Sequence, residues 1–402
     1  MADTAAHLVD RVFPEVPVRQ WVLSLPFSLR YRLAYDAPLV RDVLQIFVRA
    51  VFALVRRRAG IPAANRQARC GAVSFVQRFG DALNLNVHFH TLALDGIYMK
   101  DERGEVTFWP VGPPSDAEVA RVTASVYRRV WRLLRRRGLG AEDNPDGYDE
   151  LAHNQPLLSE LYGASMAGRI GSGRGAGRRI TRVGAEIDYA DLADATPPGC
   201  ACVSGFSVHA GVAIPAHDRM RLERLCRYTG RPPVATERLS LLPDGRLLYR
   251  LKRRWRDGTS HIIFDPLDLV GKLAALVPPP RFNLVRYHGV LAPSAAWRSL
   301  IVPEAADDDF PAHSDCPARK PVPCPEESRK KRGCRPRNYP WAELMRRVYS
   351  IDVLECPNCF GRMRILCAIH PPDAIRKILD CLGLPSRPPP VAGAFRGEPD
   401  FE

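Results

Sequence analysis

The sequence predicts an α+β fold, built on an antiparallel sheet with helices packed on one face. Three stretches, 18–25, 72–79 and 84–94, alternate apolar and polar residues with a period of two, which is typical of half-buried strands. Two longer stretches, 36–58 and 115–137, carry apolar residues at helical spacing. We therefore expect a core of about four or five antiparallel strands, with 84–94 central and the helices on the face opposite its histidines.

The other elements are predicted from their start and stop residues. The first strand ends at Pro26, and the helix 36–58 ends in three arginines that complement its dipole. A turn beginning at Gly80 leads into the strand 84–94. The remaining predicted elements are a strand at 201–214, a helix at 218–228, a hairpin formed by 247–251 and 261–264, and helices at 341–349 and 372–382.

The helix 115–137 opens with a capping box formed by Ser115 and Glu118. Its apolar stripe starts at Val119, and the other face is rich in arginine. Such a face is either solvated or turned toward DNA. The arginines are Arg128, Arg129, Arg132, Arg135 and Arg136.

Two further stretches are basic. The Gly- and Arg-rich stretch 168–184 lacks the Gly-Lys-Ser/Thr ending of a phosphate-binding loop. It is interpreted as a mobile loop whose Arg174 and Arg178 follow a DNA backbone, or as a solvated linker. Lys252 and Arg253 follow the first strand of the predicted hairpin. Near a tryptophan, such cations suit a single strand with stacked bases, although core and surface roles explain them equally well.

Composition points to a polyanionic partner. The chain has 402 residues, with 58 Lys+Arg against 44 Asp+Glu and a formal net charge of +14. Nucleic acid is the usual partner of such a chain, although a GC-rich genome also enriches arginine. The 11 cysteines form no paired framework, which indicates a reducing compartment. No apolar run reaches the ~18 residues of a membrane span, so a membrane partner is not expected.

The strand 84–94 carries a candidate metal site. His88 and His90 are two residues apart and therefore project from the same face of a strand. If the preceding turn centres between Ala82 and Leu83, Gln77 lies opposite His88 and offers an amide oxygen as third ligand. Asp95 is an acidic alternative, but its place before Gly96 favours a turn. A different reading packs one histidine in the core and exposes the other.

The helix 218–228 carries a candidate nucleophile. Asp218 is a suitable N-cap, and Tyr228 lies beside the apolar stripe on the same side as Arg224 and Arg221. A tyrosine there can simply pack. A hydroxyl among arginines is also suited to attack a phosphate, because cations stabilise the charge that develops on phosphorus.

Together these motifs resemble the HUH nucleases, and more closely the rolling-circle transposases of the insertion sequence 91 group. The similarity rests on several motifs and spans about residues 18–390. They are Phe75-Val76-Gln77-Arg78-Phe79-Gly80 leading into Asn86-Val87-His88-Phe89-His90, Arg227-Tyr228 before Arg231-Pro232-Pro233, Arg281-Phe282-Asn283-Leu284-Val285-Arg286-Tyr287-His288-Gly289, and Cys356-Pro357-Asn358-Cys359.

Two departures from the group narrow the resemblance. Two-tyrosine members carry a second tyrosine four residues before the first, where this chain has Arg224. The chain therefore resembles the single-tyrosine, common-region branch. Such transposases also begin with a cysteine-rich zinc ribbon, but no cysteine precedes Cys70, so zinc is not expected.

The resemblance implies a metal-dependent single-strand DNA nickase and strand-transferase. His88, His90 and Gln77 would hold Mg²⁺ or Mn²⁺, and Tyr228 would form a 5′-phosphotyrosine. The implied partners are single-stranded DNA at transposon ends and the host replication machinery, in the bacterial cytoplasm at the nucleoid. The residues expected to bind DNA are Arg221, Arg224, Arg227, Arg231, Arg174, Arg178, Lys252 and Arg253.

Two other functions are weighed against the nickase. The Arg224 departure and the absent ribbon suit a DNA-binding remnant that occupies transposon ends without cutting. A small-molecule metallohydrolase would need further ligands of the His-Glu-x-x-His kind, which the sequence lacks.

The expected domain organisation follows the changes in composition. Cys356 and Cys359 make half of a zinc site, but Cys367 and Cys381 have the wrong spacing for the other half, which favours a structural turn. The expected segments are an N-terminal strand and helix (1–70), an HUH-type domain (71–302), a disordered Pro-rich and basic linker (303–338), a small C-terminal unit (339–390) and a disordered tail (391–402).

Overall fold

A computed structural model describes residues 1–62, 65, 67–139, 149–184, 198–303, 339–364 and 369–385. The chain divides into a larger unit, Asp3–Pro317, and a smaller one, Ala318–Glu402. Most of the predicted linker, 304–338, and the whole predicted tail lie outside the described residues.

The strands of the larger unit form three sheets. In chain order they are β1 (Val18–Ser24), β2 (Ala68–Arg69), β3 (Gly71–Phe79), β4 (Leu85–Leu94), β5 (Gly96–Lys100), β6 (Val106–Pro110), β7 (Thr181–Gly184), β8 (Cys200–Val203), β9 (Phe206–Ile214), β10 (Leu239–Leu241), β11 (Leu247–Arg250), β12 (Thr259–Phe264) and β13 (Val285–Gly289). The main sheet has the order β13-β3-β4-β1-β9-β8, and the smaller sheets are β10-β11-β12-β7 and β2-β5-β6.

Helices surround this framework. In the larger unit they are α1 (Ala2–Arg11), α2 (Phe27–Tyr35), α3 (Ala37–Arg58), α4 (Asp116–Arg136), α5 (Glu150–Asn154), α6 (Pro156–Met166), α7 (Arg219–Thr229), α8 (Pro266–Leu276) and α9 (Arg298–Ile301). The smaller unit contains α10 (Trp341–Tyr349) and α11 (Pro372–Cys381). Among the described helices, none is long and apolar enough to cross a membrane.

The main sheet is apolar on both faces, and each face is covered by helices. Val87 and Phe89 of β4 belong to a core shared with α3, α4, α6 and α8. Leu92 and Leu94 project from the other face, into a core shared with α1 and α7. The predicted antiparallel α+β fold is confirmed. The sheet has six strands, however, and helices pack on both faces, because two apolar faces must both be shielded from water.

Most predicted elements occur with nearly the predicted ends, but the stretch 201–214 is not one strand. It is a hairpin of β8 and β9, which pair Val203 with Phe206 across a tight turn. Ser204 and Gly205 both have positive φ angles, as such turns require. The Ser204-Gly205 pair is a turn signal that the prediction of one continuous strand did not use.

The basic stretch 168–184, expected to be a mobile loop, contains regular structure. Its end forms β7, which pairs antiparallel with β12, and Gly173–Gly175 forms a 3₁₀ turn. Ile180 is buried in the core that includes residues of α3, α4, α6 and α8, and Ile170 packs against that core. Two apolar side chains therefore anchor the stretch, although its composition is dominated by glycine and arginine.

The smaller unit has a tight turn between its two helices. The Cys356 N–H donates to the carbonyl oxygen of Gly361, and the Phe360 N–H donates to that of Cys356, at 2.9 and 2.8 Å. Hydrogen bonds from the backbone of Asn358 and Cys359 lower the pKa of the Cys356 thiol. Cys367 lies outside the described residues.

A buried ion pair joins three strands of the main sheet. Arg19 on β1 contacts Asp95 at the end of β4, with Nη2 2.6 Å from Oδ2 and side chains only 7% and 10% exposed. Arg19 also donates to the carbonyl oxygen of Ala210 on β9. Asp95, expected in a turn, therefore ties the sheet together.

We predict that Asp95→Asn destabilises the larger unit by about 3–5 kcal/mol, because the Arg19 guanidinium would stay buried without a carboxylate. Urea unfolding followed by circular dichroism measures the change. Asp244→Asn is the control, since its pair with Arg246 is largely exposed and its loss should leave the midpoint unchanged. An unchanged midpoint for Asp95→Asn would contradict this account of the ion pair.

Candidate active site

The two histidines of β4 lie side by side on the face that α7 covers. Their ring centroids are 5.0 Å apart at an interplanar angle of 63°. His90 is buried and His88 is half-buried. The strand period produces this arrangement, because Phe89 between them points into the opposite core.

Hydrogen bonds orient both imidazoles. His88 Nδ1 lies 2.9 Å from the carbonyl oxygen of Asn86, so Nδ1 carries the proton and the Nε2 lone pair is free. The buried Gln20 Nε2 on β1 lies 2.7 Å from His90 Nδ1 and donates to it, which places the proton of the neutral His90 ring on its own Nε2. With the Gln20 amide turned by 180°, its oxygen would accept from Nδ1–H instead, and the Nε2 lone pair of His90 would become free.

The environment keeps both histidines neutral at pH 7. Burial lowers the pKa of His88 to about 4. A hydrogen bond to the Asn86 backbone opposes that shift, and the charges of Arg30 and Arg231 add to it. Burial, His88 and Arg231 lower the pKa of His90 well below its usual value. Neutral imidazoles are the form that binds metal ions.

Two amide oxygens are candidates to complete a metal site. Gln77 pairs with His88 across β3 and β4, in the register that the turn position predicted. Its Nε2 donates to the carbonyl oxygen of Thr229 at 2.7 Å, which leaves Oε1 available. Asn86, on the same face as the histidines, has a buried Oδ1 without a hydrogen-bond partner among the described residues. Among the residues that the structure describes, no group of three His, Cys, Asp or Glu side chains lies close enough together to bind a metal ion.

The tyrosine helix lies against the histidine pair. Asp218 caps α7 by accepting from the Arg221 N–H at 3.0 Å. Leu222, Leu225 and Cys226 pack into the core on this face of the sheet. The half-buried ring of Tyr228 is 6.1 Å from that of His90, nearly perpendicular to it. The fold thus brings together two motifs that are far apart in the sequence.

Both ends of α7 are fastened to the fold. Arg219 in its first turn donates to the carbonyl oxygens of Val9, Phe13 and Pro14, at the C-terminal end of α1. That end carries the negative pole of the α1 dipole, which favours a guanidinium. At the other end, Gln77 holds the carbonyl oxygen of Thr229. The backbone next to Tyr228 is therefore fixed relative to His88.

Two cations lie over the ring of Tyr228. The Arg231 guanidinium carbon is 4.4 Å from the ring centroid, and Lys252 Nζ is 5.0 Å away. Lys252 follows β11 in the second sheet, and the carboxylate of Asp81 accepts from its backbone N–H at 3.3 Å. Asp81 sits in the turn between β3 and β4 and also pairs with Arg238 at 3.7 Å.

The other predicted DNA-binding residues lie at varying positions. Arg224 is exposed on α7, and Arg221 and Arg227 are partly exposed there. Arg253 is exposed beside Lys252. Arg178 is exposed in the stretch that ends in β7, and its contact with DNA stays a prediction. The side chain of Arg174 lies outside the described residues.

A cavity of about 480 Å³ opens beside the tyrosine helix. Gln77, Thr229 and Arg231 lie at its polar side, and Phe75 and Phe79 are among its apolar walls. Cavities of this size hold small organic groups.

Sequence reasoning missed three residues that shape this site: Gln20, Arg30 and Asp81. Gln20 gave one signal, as a polar residue at an inward position of an otherwise apolar strand. Arg30 and Asp81 gave no such signal. Arg30 acts through its charge on the pKa of His88, and Asp81 accepts from the backbone of Lys252, so both effects join segments far apart in the sequence.

A comparison with protein families identifies one match. The family described as Putative transposase matches residues 71–298, which is more than half of the chain and includes both histidines and Tyr228. No curated protein and no solved structure matches the sequence. The chain therefore belongs to this transposase family.

Proposed function

We propose that the protein is a metal-dependent single-strand DNA nickase and strand-transferase that uses Tyr228 as nucleophile. The observation that carries this proposal is the contact between Tyr228 and His90, whose ring centroids lie 6.1 Å apart on one face of the sheet. A nucleophile beside metal-binding histidines is the arrangement by which HUH nucleases act. The proposal assigns the chain to their insertion sequence 91 group.

His88 and His90 would hold a divalent cation through Nε2, with Gln77 Oε1 or Asn86 Oδ1 as the oxygen ligand. The free Nε2 lone pair of His88, the neutral rings, and the Asn86 oxygen, which has no partner among the described residues, all suit this role. Two imidazoles favour Mn²⁺ over Mg²⁺, which prefers oxygen ligands throughout. A bound cation would polarise the scissile phosphate and orient it for attack.

The tyrosine and its cations would perform the transfer. Tyr228 Oη attacks phosphorus and loses its proton, while the bond from phosphorus to O3′ breaks and the leaving oxygen gains a proton. The products are a 5′-phosphotyrosine and a free 3′-OH, which the host polymerase can extend. Arg231 and Lys252, next to the ring, stabilise the negative charge that develops on the phosphate.

One nucleophile is consistent with the single-tyrosine, common-region branch of the group. Arg224 stands one helical turn before Tyr228, where two-tyrosine members carry their other tyrosine, and it is exposed. The second strand transfer then needs Tyr228 again, the tyrosine of a second copy, or a hydroxyl group as nucleophile.

The proposed substrate is single-stranded DNA at transposon ends. A base can enter the cavity beside Thr229 only when it is unpaired, and the half-buried Phe79 in its wall is a ring on which a base can stack. The exposed Arg253 lies on the same loop as Lys252, where it can contact the strand's phosphates.

Tyr228→Phe should abolish covalent attachment to DNA. We expect the unmodified protein to form a covalent adduct with labelled single-stranded oligonucleotides from candidate element ends in Mn²⁺ but not in chelator. Denaturing gel electrophoresis detects it. Tyr287→Phe, on the same face of the sheet, is the control and should still form the adduct.

An adduct that survives in Tyr228→Phe would show that another residue is the nucleophile. Oligonucleotide binding without any adduct in the unmodified protein would instead support the inactive DNA-binding remnant.

Gln20→Ala should weaken Mn²⁺ binding by about 10–100-fold, because His90 loses the partner that orients its ring. Isothermal titration calorimetry measures the affinity, with the exposed Gln45→Ala as control. Gln77→Ala and Asn86→Ala, compared in the same assay, identify the oxygen ligand by the larger loss. Equal affinities for Gln20→Ala and Gln45→Ala would contradict the role of Gln20.

Lys252→Gln should slow formation of the adduct by about 10–100-fold, because one cation near the developing charge is lost. Asp81→Asn should slow it less, since it only loosens the loop that carries Lys252. Quenched-flow sampling gives the rates, and Arg254→Gln, exposed on the same loop, is the matched control. A rate for Lys252→Gln equal to that of the control would contradict this role.

A further inference from the structure

Helices α3 and α4 form an antiparallel pair on the face of the main sheet opposite Tyr228. Ion pairs clamp this pair at both ends. Arg58 at the end of α3 contacts Glu118 at the start of α4 at 2.5 Å. Asp42 near the start of α3 pairs with Arg137, just past the end of α4. The clamps fix which sides of the two helices face outward.

The outward side of this pair is densely basic. Seven exposed arginines, here named the arginine platform, have no ion pair or side-chain hydrogen bond within the described part of the chain. The carboxylates of Asp42, Asp116 and Glu118 are already engaged, so none of them neutralises the platform. The seven are Arg49 and Arg57 of α3 with Arg128, Arg129, Arg132, Arg135 and Arg136 of α4.

Neither solvation nor the helix dipole explains this pattern. A solvated helix face normally interleaves both signs of charge, whereas this face has no free acid among the described residues. Cations at a helix C-terminus complement its dipole only within the last turn. Arg128, Arg129 and Arg132 lie before that turn of α4.

The density of positive charge along α4 is comparable to the phosphate density of duplex DNA, since five arginines lie between Arg128 and Arg136. Between Arg128 and Arg136, α4 rises by about 12 Å at ~1.5 Å per residue. Over that length B-DNA carries about seven phosphates, one per ~1.7 Å of axis. A single strand would call for several exposed aromatic side chains on which bases stack. Trp131, 38% exposed, is the one large aromatic on the outer side of α4.

We infer that the arginine platform binds the phosphate backbone of duplex DNA, while the opposite face of the sheet holds the single strand at Tyr228. This inference rests on the proposed function only in taking DNA as the partner. It gives the protein two DNA-binding surfaces, separated by the sheet and directed at two forms of one molecule.

The test compares salt dependence for two probes. Fluorescence anisotropy measures binding of the full chain to a labelled mixed-sequence 20-base-pair duplex and to a labelled 20-nucleotide oligo-dT, over a series of salt concentrations. The test variant is Arg128→Gln/Arg132→Gln. The control variant is Arg103→Gln/Arg281→Gln, which removes equal charge from exposed arginines elsewhere.

For the duplex, the test variant should reduce the slope of log K against log salt by about 0.9 per arginine. The control should keep the unmodified slope, and both variants should bind oligo-dT as the unmodified protein does. An unchanged duplex slope, an equal loss in the control, or an equal loss for oligo-dT would overturn the inference. A failure of the Tyr228 adduct would leave these duplex results intact, so the two proposals fail separately.

Discussion

The geometry of the candidate site depends on how α7 is fastened to the sheet. Arg219 ties its first turn to the end of α1, and Gln77 ties its last turn to β3 beside His88. The apolar stripe between these ties packs into the core on the histidine face. A helix held at three places cannot slide or rotate freely, so Tyr228 keeps its position next to His90 without any direct bond between the two.

A single side chain also connects the sheet β10-β11-β12-β7 to the site. Asp81 lies in the turn that sets the register of β3 and β4, and it also holds the loop after β11 that carries Lys252. The Asp81 carboxylate thus fixes the position of Lys252 relative to the two histidines. Two features stabilise the sheet itself. Phe89 is buried in the core on the opposite face of β4, and Arg19 forms a buried ion pair with Asp95.

Sequence patterns predicted whatever depends on neighbours along the chain. The period of β4, the N-cap of α7 and the register that pairs Gln77 with His88 all follow from local spacing. The hairpin of β8 and β9 was missed because the apolar residues on both sides of Ser204-Gly205 were taken as one strand, although that pair is a turn signal. The contacts of Gln20 and Asp81 were missed because each joins segments that only the fold brings together, and the expected contact of Arg178 with DNA stays a prediction.

The proposed nucleophile of this transposase is Tyr228. The most direct measurement is peptide mapping by mass spectrometry of the protein–DNA adduct, after nuclease digestion trims the DNA to a few nucleotides. The account predicts a 5′-linked nucleotide on the tryptic peptide that contains Tyr228, and an unmodified Tyr287. A nucleotide on any other residue would contradict it.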